Sequence, residues 1–473
     1  MNKLLLILTL PVLMIAKTVT FQEALNLTLQ NNKELKAKEY ESKKSIEDLK
    51  EAQGYKKGKL EFSEQISRTN NAGYVFGMKL ASREASFADF GFSDFLTPLG
   101  MAISGAANGN QPSDMSGLLS VQPKDLNYPE ARNNFETKFV YEAPLYTGGK
   151  LESAAAMAKL QIKANKAKLS HDKKQIGLEV LKAYNGAVAA KKFIGMTKNA
   201  KVITNRFNQK AQELYDRRLV RIIDVKQSKM AAYSVDAKIE EAQTKFKLAI
   251  AYLQFLTSDN TITDVEEFTI FSLDKSTLDT LQKDAISTRD DYKWMQLNTD
   301  TMKKKIVFDG AAEKPMVGTH FEYGMNNDTL NTPFNIHEND YYVAAIGLTY
   351  TLFDGDITKA KKQKAKIDYL KTKNYFEYMK EGINLQVKKN YLDFQTQTST
   401  LKQKVKTQAM AEDILKETED MFANNLKFRT NMMYLLMQLE NMLKVQADVI
   451  MSQYDQTITS AKLKLSIGSS LKR

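Results

Sequence analysis

From Lys150 to about Arg218 the chain contains no proline and few glycines. A helix running through this arm, at 1.5 Å per residue, reaches about 100 Å. A compact domain of 100 residues has a radius of gyration of only ~13 Å, so no single globule contains such a helix. Ile176, Val180, Ala183, Ala187, Ala190 and Ile194 follow the 4-3-4-3-4 spacing of a coiled-coil seam. Ordinary bundles use the same seam, but its length demands an equally long partner. The return arm, about Ile222 to Leu256, supplies one.

The arm occurs twice. Pro144-Leu145-Tyr146-Thr147-Gly148 lies on Thr351-Leu352-Phe353-Asp354-Gly355 at an offset of 207 (351 minus 144), which holds for Ile176/Ile383, Val180/Val387, Tyr184/Tyr391 and Leu219/Leu426. Towards the N-terminus the offset becomes 257 (289 minus 32), pairing Asn32 with Arg289 and Leu60 with Val317. The first half therefore carries 50 extra residues (257 minus 207), read as one long loop, 81–126. The expected organisation is a first repeat over 17–256, a linker over 257–277 and a second repeat over 278–473. Each repeat reads as helix, two strands, then a helical hairpin. The first helix opens on a capping box, Thr20 with Glu23, and is expected to run to about Tyr55.

The strands have period two. Phe135, Thr137, Phe139, Tyr141 and Ala143 form one face, with Glu136, Lys138, Val140 and Glu142 on the other. Val317, Thr319, Phe321, Tyr323 and Met325 repeat the pattern, which sends His320 and Glu322 to the polar side. Tyr342, Ala344, Ile346, Leu348, Tyr350 and Leu352 also form an apolar face, and Tyr342 and Tyr350 are spaced as the two aromatic girdles of an outer-membrane barrel. Leu60 to Arg68 alternates less clearly. On strand pattern alone, a soluble sandwich fits as well as a membrane barrel. Strand count separates them: four strands per chain cannot close a barrel when the smallest membrane barrels use about eight. Several chains must contribute, and three give 12 strands above a ring of helices.

Composition removes most chemistry. Without cysteine there is no disulfide framework, thiolate site or cysteine nucleophile. Three scattered histidines, His171, His320 and His337, make a multi-histidine metal site or a histidine-based hydrolase unpromising. No catalytic, cofactor-binding or metal site is assigned. Residues 1–16 read as a secretory signal, with Lys3, the apolar run Leu4 to Ile15 and a cleavage point after Ala16. A net charge of +12 fits anionic lipid or lipopolysaccharide, and export argues against nucleic acid. Met432, Met433, Met437 and Met442 read as helix packing.

These features resemble the TolC family of outer-membrane efflux and secretion channels, over most of the chain from Phe21 to about Gly468. The most specific piece is Asn127, Pro129, Asn133 and Phe135 followed by Pro144-Leu145-Tyr146-Thr147-Gly148-Gly149-Lys150. Ala24, Leu25, Asn31, Asn32 and Leu35 resemble the family's opening helix. The resemblance implies an α+β membrane protein: a homotrimer with a 12-stranded β-barrel in the cell outer membrane, continued by a periplasmic α-helical barrel of coiled-coil helices. Its implied role is the exit duct of a tripartite efflux pump or type I secretion system. The implied partners are a periplasmic adaptor, outer-membrane lipid, and an inner-membrane resistance-nodulation-division pump or ATP-binding cassette exporter.

The resemblance also gives roles to the two hairpin turns. Arg218, Leu219 and Val220 in the first, and Asn425, Leu426, Lys427 and Phe428 in the second, are the expected adaptor contacts. Arg217, Arg221, Asp224, Arg429, Asn431 and Tyr434 are the expected periplasmic gate. Arg218 and Asn425 stand where the family commonly has glycine, and Asn431 and Tyr434 where well-known members carry acidic residues. An exported coiled-coil scaffold or adhesin without a pore is the alternative function, and a periplasmic hydrolase the remote one.

Overall fold

The computed structural model describes residues 17–108, 115–271, 277–329, 339–423 and 431–472. Residues 1–16, expected as a secretory signal, and 424–430, expected to hold the second turn, lie outside them. In chain order the elements are β1 (Lys17–Val19), α1 (Phe21–Asn31), α2 (Lys33–Gly54), β2 (Lys59–Thr69), α3 (Ala72–Ala81), α4 (Phe92–Ala107), α5 (Lys124–Asn127), β3 (Arg132–Thr147) and α6 (Lys150–Asp216). The second half continues with α7 (Ile222–Thr257), β4 (Ile262–Val265), α8 (Leu278–Thr288), α9 (Asp290–Asp309), β5 (Met316–Asn327), β6 (Asp340–Thr349), α10 (Ile357–Ala423) and α11 (Met432–Ser466). Two compact units result, each drawing on both halves of the sequence. One takes residues up to Ile46, Leu160–Thr301 and Tyr369 onward, and the other Glu47–Lys159 and Met302–Asp368.

In the helical unit, α1 starts on the Thr20–Glu23 box: the Glu23 N–H donates to Thr20 Oγ1 (3.2 Å) and the Thr20 N–H to Glu23 Oε2 (2.9 Å). The helix expected to run unbroken to Tyr55 is instead divided at Asn32. There Asn32 Nδ2 donates to the Leu256 carbonyl (3.0 Å) while Oδ1 accepts from the Leu35 N–H (3.1 Å). Its counterpart at offset 257, Arg289, separates α8 from α9 and donates to the Ser466 carbonyl (3.2 Å). Each repeat thus bends its first helix where a side chain satisfies an orphan carbonyl in the last turn of its closing helix. The seam residues Ile176, Val180, Ala183 and Ala187 are buried in a core with Phe21, Tyr184, Leu253 and Phe271, and Ala190 further along the seam is buried too. A second core joins Phe207, Leu214 and Val225 to Leu415, Leu435 and Leu439. β1 and β4 add a short parallel pair that the sequence reading did not contain.

α6 and α10 are both 67 residues long and begin 207 residues apart (357 minus 150). Their entries match. Gly148 and Gly149 have φ of +66° and +90°, and Gly355 and Asp356 have +68° and +64°. Thr147 Oγ1 accepts from the Leu151 N–H (3.2 Å), as Asp354 Oδ2 does from the Thr358 N–H (2.9 Å).

The second unit centres on a four-stranded antiparallel sheet, order β2-β3-β5-β6, whose outer edges belong to β2 and β6. The segment between β2 and β3, expected as one long loop, carries α3, α4, α5 and two short 3-10 turns. Its Gly, Ser and Ala content masked the helical spacing of the Phe and Leu residues between them. Among the described residues no helix is long and apolar enough to cross a membrane.

Candidate functional site

Cross-strand register decides what the sheet presents. In an antiparallel pair, directly opposed residues share a face. Phe62 opposes Phe139, which opposes Tyr323, which opposes Tyr342; Leu60, Tyr141, Phe321 and Ala344 form the next row. The less regular β2 therefore places Leu60, Phe62 and Ile66 on the same face as the apolar residues of the other three strands. The Phe62 and Phe139 rings sit 5.2 Å apart across the pair. Among the described residues nothing covers the outer strands of that face: Leu60, Phe62, Ile66, Tyr342, Ile346 and Leu348 are 63–74% exposed. Tyr342 lies within β6, whereas Tyr350, its expected girdle partner, falls one residue past the strand.

The opposite face is polar and internally paired. His320 Nδ1 is 3.1 Å from Glu142 Oε1, Lys138 Nζ is 2.8 Å from Glu136 Oε1, and Tyr341 Oη donates to Glu322 Oε1 (2.7 Å). His320 and Glu322 thus share a face with Glu136, Lys138 and Glu142. A sheet with one apolar face, one charged face and two unpaired edges is unfinished as a single chain, since open edges template further pairing.

The first hairpin turn is the second candidate element. The Arg218 N–H donates to the Tyr215 carbonyl (2.7 Å) and the Leu219 N–H to that of Leu214 (2.9 Å), the paired bonds of a Schellman closure. This closure requires left-handed backbone at Arg218, where φ is +62°. An arginine thus occupies the conformation for which glycine is favoured. α7 then starts with Arg221 as its N-cap residue, and Asp224 Oδ2 accepts the Arg221 N–H (3.1 Å). Asp224 is buried, and the Arg221 Nε lies 3.9 Å from the same oxygen. Arg217, Arg218 and Arg221 are exposed around it. Leu219 is also exposed, whereas Val220 is half-buried against the second helical core. Ile222 and Ile223, which belong to the same tip motif but are assigned no contact by the resemblance, are exposed beside them. An Ile-Ile pair opening a helix in a polar hairpin was the available signal.

Of the second turn, Asn425, Leu426, Lys427, Phe428 and Arg429 lie outside the described residues. Asn431 is the N-cap of α11, its Oδ1 accepting from the Tyr434 N–H (2.9 Å), and Tyr434 is exposed. Asn431 and Asp224 are equivalent at offset 207, yet one caps its helix from the N-cap position and the other from the third helical residue. The repeats enter their return helices in different registers. Among the described residues no group of three or more His, Asp or Glu side chains is placed to hold a metal ion.

No protein-family model matches the sequence, and no curated protein does. Solved structures do match. CusC, described for conformational changes accompanying folding and transmembrane channel formation, superimposes with a TM-score of 0.76 at 10% identity, over 95% of this chain and 92% of that one. The outer membrane protein VceC from Vibrio cholerae gives 0.74 at 14% identity, over 95% and 96%. The Neisseria gonorrhoeae MtrE outer membrane channel, in its open state, gives 0.73 at 14% identity, over 96% and 90%.

Proposed function

We propose that this chain, whose fold is that of the TolC-like outer-membrane channels, is the outer-membrane exit duct of a tripartite efflux pump or type I secretion system. Three copies close their sheets into a 12-stranded barrel, apolar face to lipid and charged face to the lumen, and the long helices form a tunnel in the periplasm. The observation that carries this reading is the sheet itself. Four strands with two open edges and an uncovered apolar face are stable in a bilayer only if other copies complete the hydrogen bonding. The structural likeness to outer-membrane channels over some 95% of the chain supports it.

The hairpin turns would serve the periplasmic end. Leu219 offers an adaptor an apolar contact beside the cationic Arg217, Arg218 and Arg221, and Leu426, Lys427 and Phe428 are the matching proposal for the second turn. Asn431 and Tyr434 would bring an uncharged second turn to the gate, so the titratable part of a closed ring would come from the first repeat. The pump partner is a resistance-nodulation-division transporter or an ATP-binding cassette exporter, and the chain performs no catalysis of its own.

Extracted from outer membranes in mild detergent, the protein is expected to run as a heat-sensitive trimer and to open discrete conductances in planar bilayers. A water-soluble monomer without conductance would overturn the reading in favour of a coiled-coil scaffold.

A further inference from the structure

We propose that α4, in the segment between β2 and β3, is an interfacial helix that lies along the outer surface of the lipid bilayer with one apolar face in the acyl boundary. The inference rests on the channel reading above, because it takes the ends of the strands as the level where lipid meets water.

The sequence makes α4 two-sided. At about 100° per residue, Phe92, Phe95, Leu96, Leu99 and Ile103 fall within an arc of about 100°, while Ser93, Thr97 and Ser104 fall on another side. α4 contains no Lys or Arg, and its one charged residue, Asp94, is occupied by the Lys124 N–H (2.8 Å). Phe92, Leu96 and Ile103 are 47–59% exposed, and none of the helix's described residues is buried. Among the described residues, Phe95 and Leu99 are half-buried and the Phe87 ring lies 5.8 Å from that of Phe92, but about half of the surface of Phe92, Leu96 and Ile103 is left uncovered.

Its place in the fold selects the occupant. α3 starts three residues past the end of β2, and the segment returns to the sheet at Arg132, the first residue of β3. Between these points it is tied to strand ends. Arg83 Nη2 donates to the Asp340 carbonyl at the start of β6 (2.8 Å), and Arg132 Nη2 donates to Ser82 Oγ (3.0 Å) and pairs with Glu84. A helix held at the rim of a sheet whose apolar face is in lipid continues that face at the headgroup level. About 24 Å of helix with a Phe/Leu/Ile face and a Ser/Thr side is suited to lie in that plane. Without basic residues on α4, the attachment depends on apolar burial and not on attraction to anionic headgroups.

The absence of cysteine makes single-site labelling clean. Nitroxides would be placed at L96C, I103C, S93C, S104C and, on the apolar face of β6, I346C. Each is read in full-length protein in phosphatidylethanolamine–phosphatidylglycerol vesicles. Positions 96 and 103 are expected to favour oxygen over a water-soluble nickel chelate by several-fold relative to 93 and 104, without change at high salt. Chelate access at 96 and 103 with lipid exposure retained at 346 would overturn the helix assignment alone. Shielding of 96 and 103 from both reagents would overturn it too, by showing that protein, such as a second copy, covers the face. Chelate access at 346 would instead sink the channel reading.

Discussion

Arg218 shows how much a single backbone angle decides. Left-handed conformation costs a non-glycine residue roughly 1–2 kcal/mol, and the Schellman bonds at Tyr215 and Leu214 hold Arg218 there. Arg218→Gly is therefore expected to stabilise the hairpin by about 1 kcal/mol, seen as a higher apparent unfolding midpoint in detergent; a lower midpoint would mean that the guanidinium contributes more than the strain removes. Asp224 acts through its cap. Asp224→Ala, which loses the bond from the Arg221 N–H, is expected to cost about 0.5–2 kcal/mol and to raise single-channel conductance by loosening the first turn of α7. Unchanged conductance would leave Asp224 a structural cap only. A third residue sets acid sensitivity. Burial pushes the Asp291 carboxyl up, but the Arg289 guanidinium (2.6 Å) and the Tyr292 N–H (3.0 Å) outweigh it and hold the group below its ordinary 3.8. A depressed folded-state value means that this stability is fully present above about pH 4 and is lost as pH falls further. Asp291→Asn should lower the midpoint at neutral pH, leaving the largely enclosed Arg289 guanidinium without its carboxylate, and flatten the fall below pH 4. An equally steep acid limb in the variant would assign the loss to other carboxylates.

At the level of elements, the two strand-to-helix junctions form a built-in comparison. Gly148 and Gly355 have nearly the same φ. A Cβ on Gly148 would collide with the Ala311 carbonyl and crowd Lys314 Cβ at 3.1 Å, whereas one on Gly355 meets nothing within 4 Å. Gly148→Ala should therefore destabilise the protein more than Gly355→Ala, which carries only the backbone term of roughly 1–2 kcal/mol; equal shifts in the unfolding midpoint would show that the Ala311 turn moves aside freely. These junctions were legible in the sequence because the repeat aligned them, and so were α6, α10, the four strands and the parity of β3, β5 and β6, since each rests on periodicity over many residues; the face of β2 came only from its register against β3. Other features depend on contacts no local pattern encodes. Asn32 breaks α1 from α2 because the Leu256 carbonyl, 224 positions away, takes its amide. The pairing of β1 with β4 involves strands of only three and four residues. The four methionines of α11, read together as packing, divide: Met432 and Met442 are buried, and Met433 and Met437 are exposed. Helical spacing placed them on turns of α11 but did not say which side of the helix meets α7 and α10.

For the whole molecule, the decisive quantity is the distance between the two open edges. β2 and β6 are separated by β3 and β5, so their backbones are three strand spacings apart, about 14 Å. A disulfide spans Cα atoms no more than about 7 Å apart. One cysteine on β2 and one on β6 in the same chain therefore cannot bond to each other while the sheet is folded. Between chains they can, if the β2 edge of one copy completes the β6 edge of the next. Because the natural chain has no cysteine, no native thiol competes with the introduced pair, and a closed covalent trimer requires the β2–β6 bond at each junction. Pairs scanned along Ser63, Gln65 and Ser67 on β2 and Val343, Ala345 and Gly347 on β6 keep to the face opposite the apolar one. At the matching register, oxidation of the assembled protein in membranes should convert it to a covalent trimer on non-reducing gels. Bands larger than a trimer would mean that the edges pair without threefold closure. Monomer alone at every register would mean that something other than a second copy satisfies those edges.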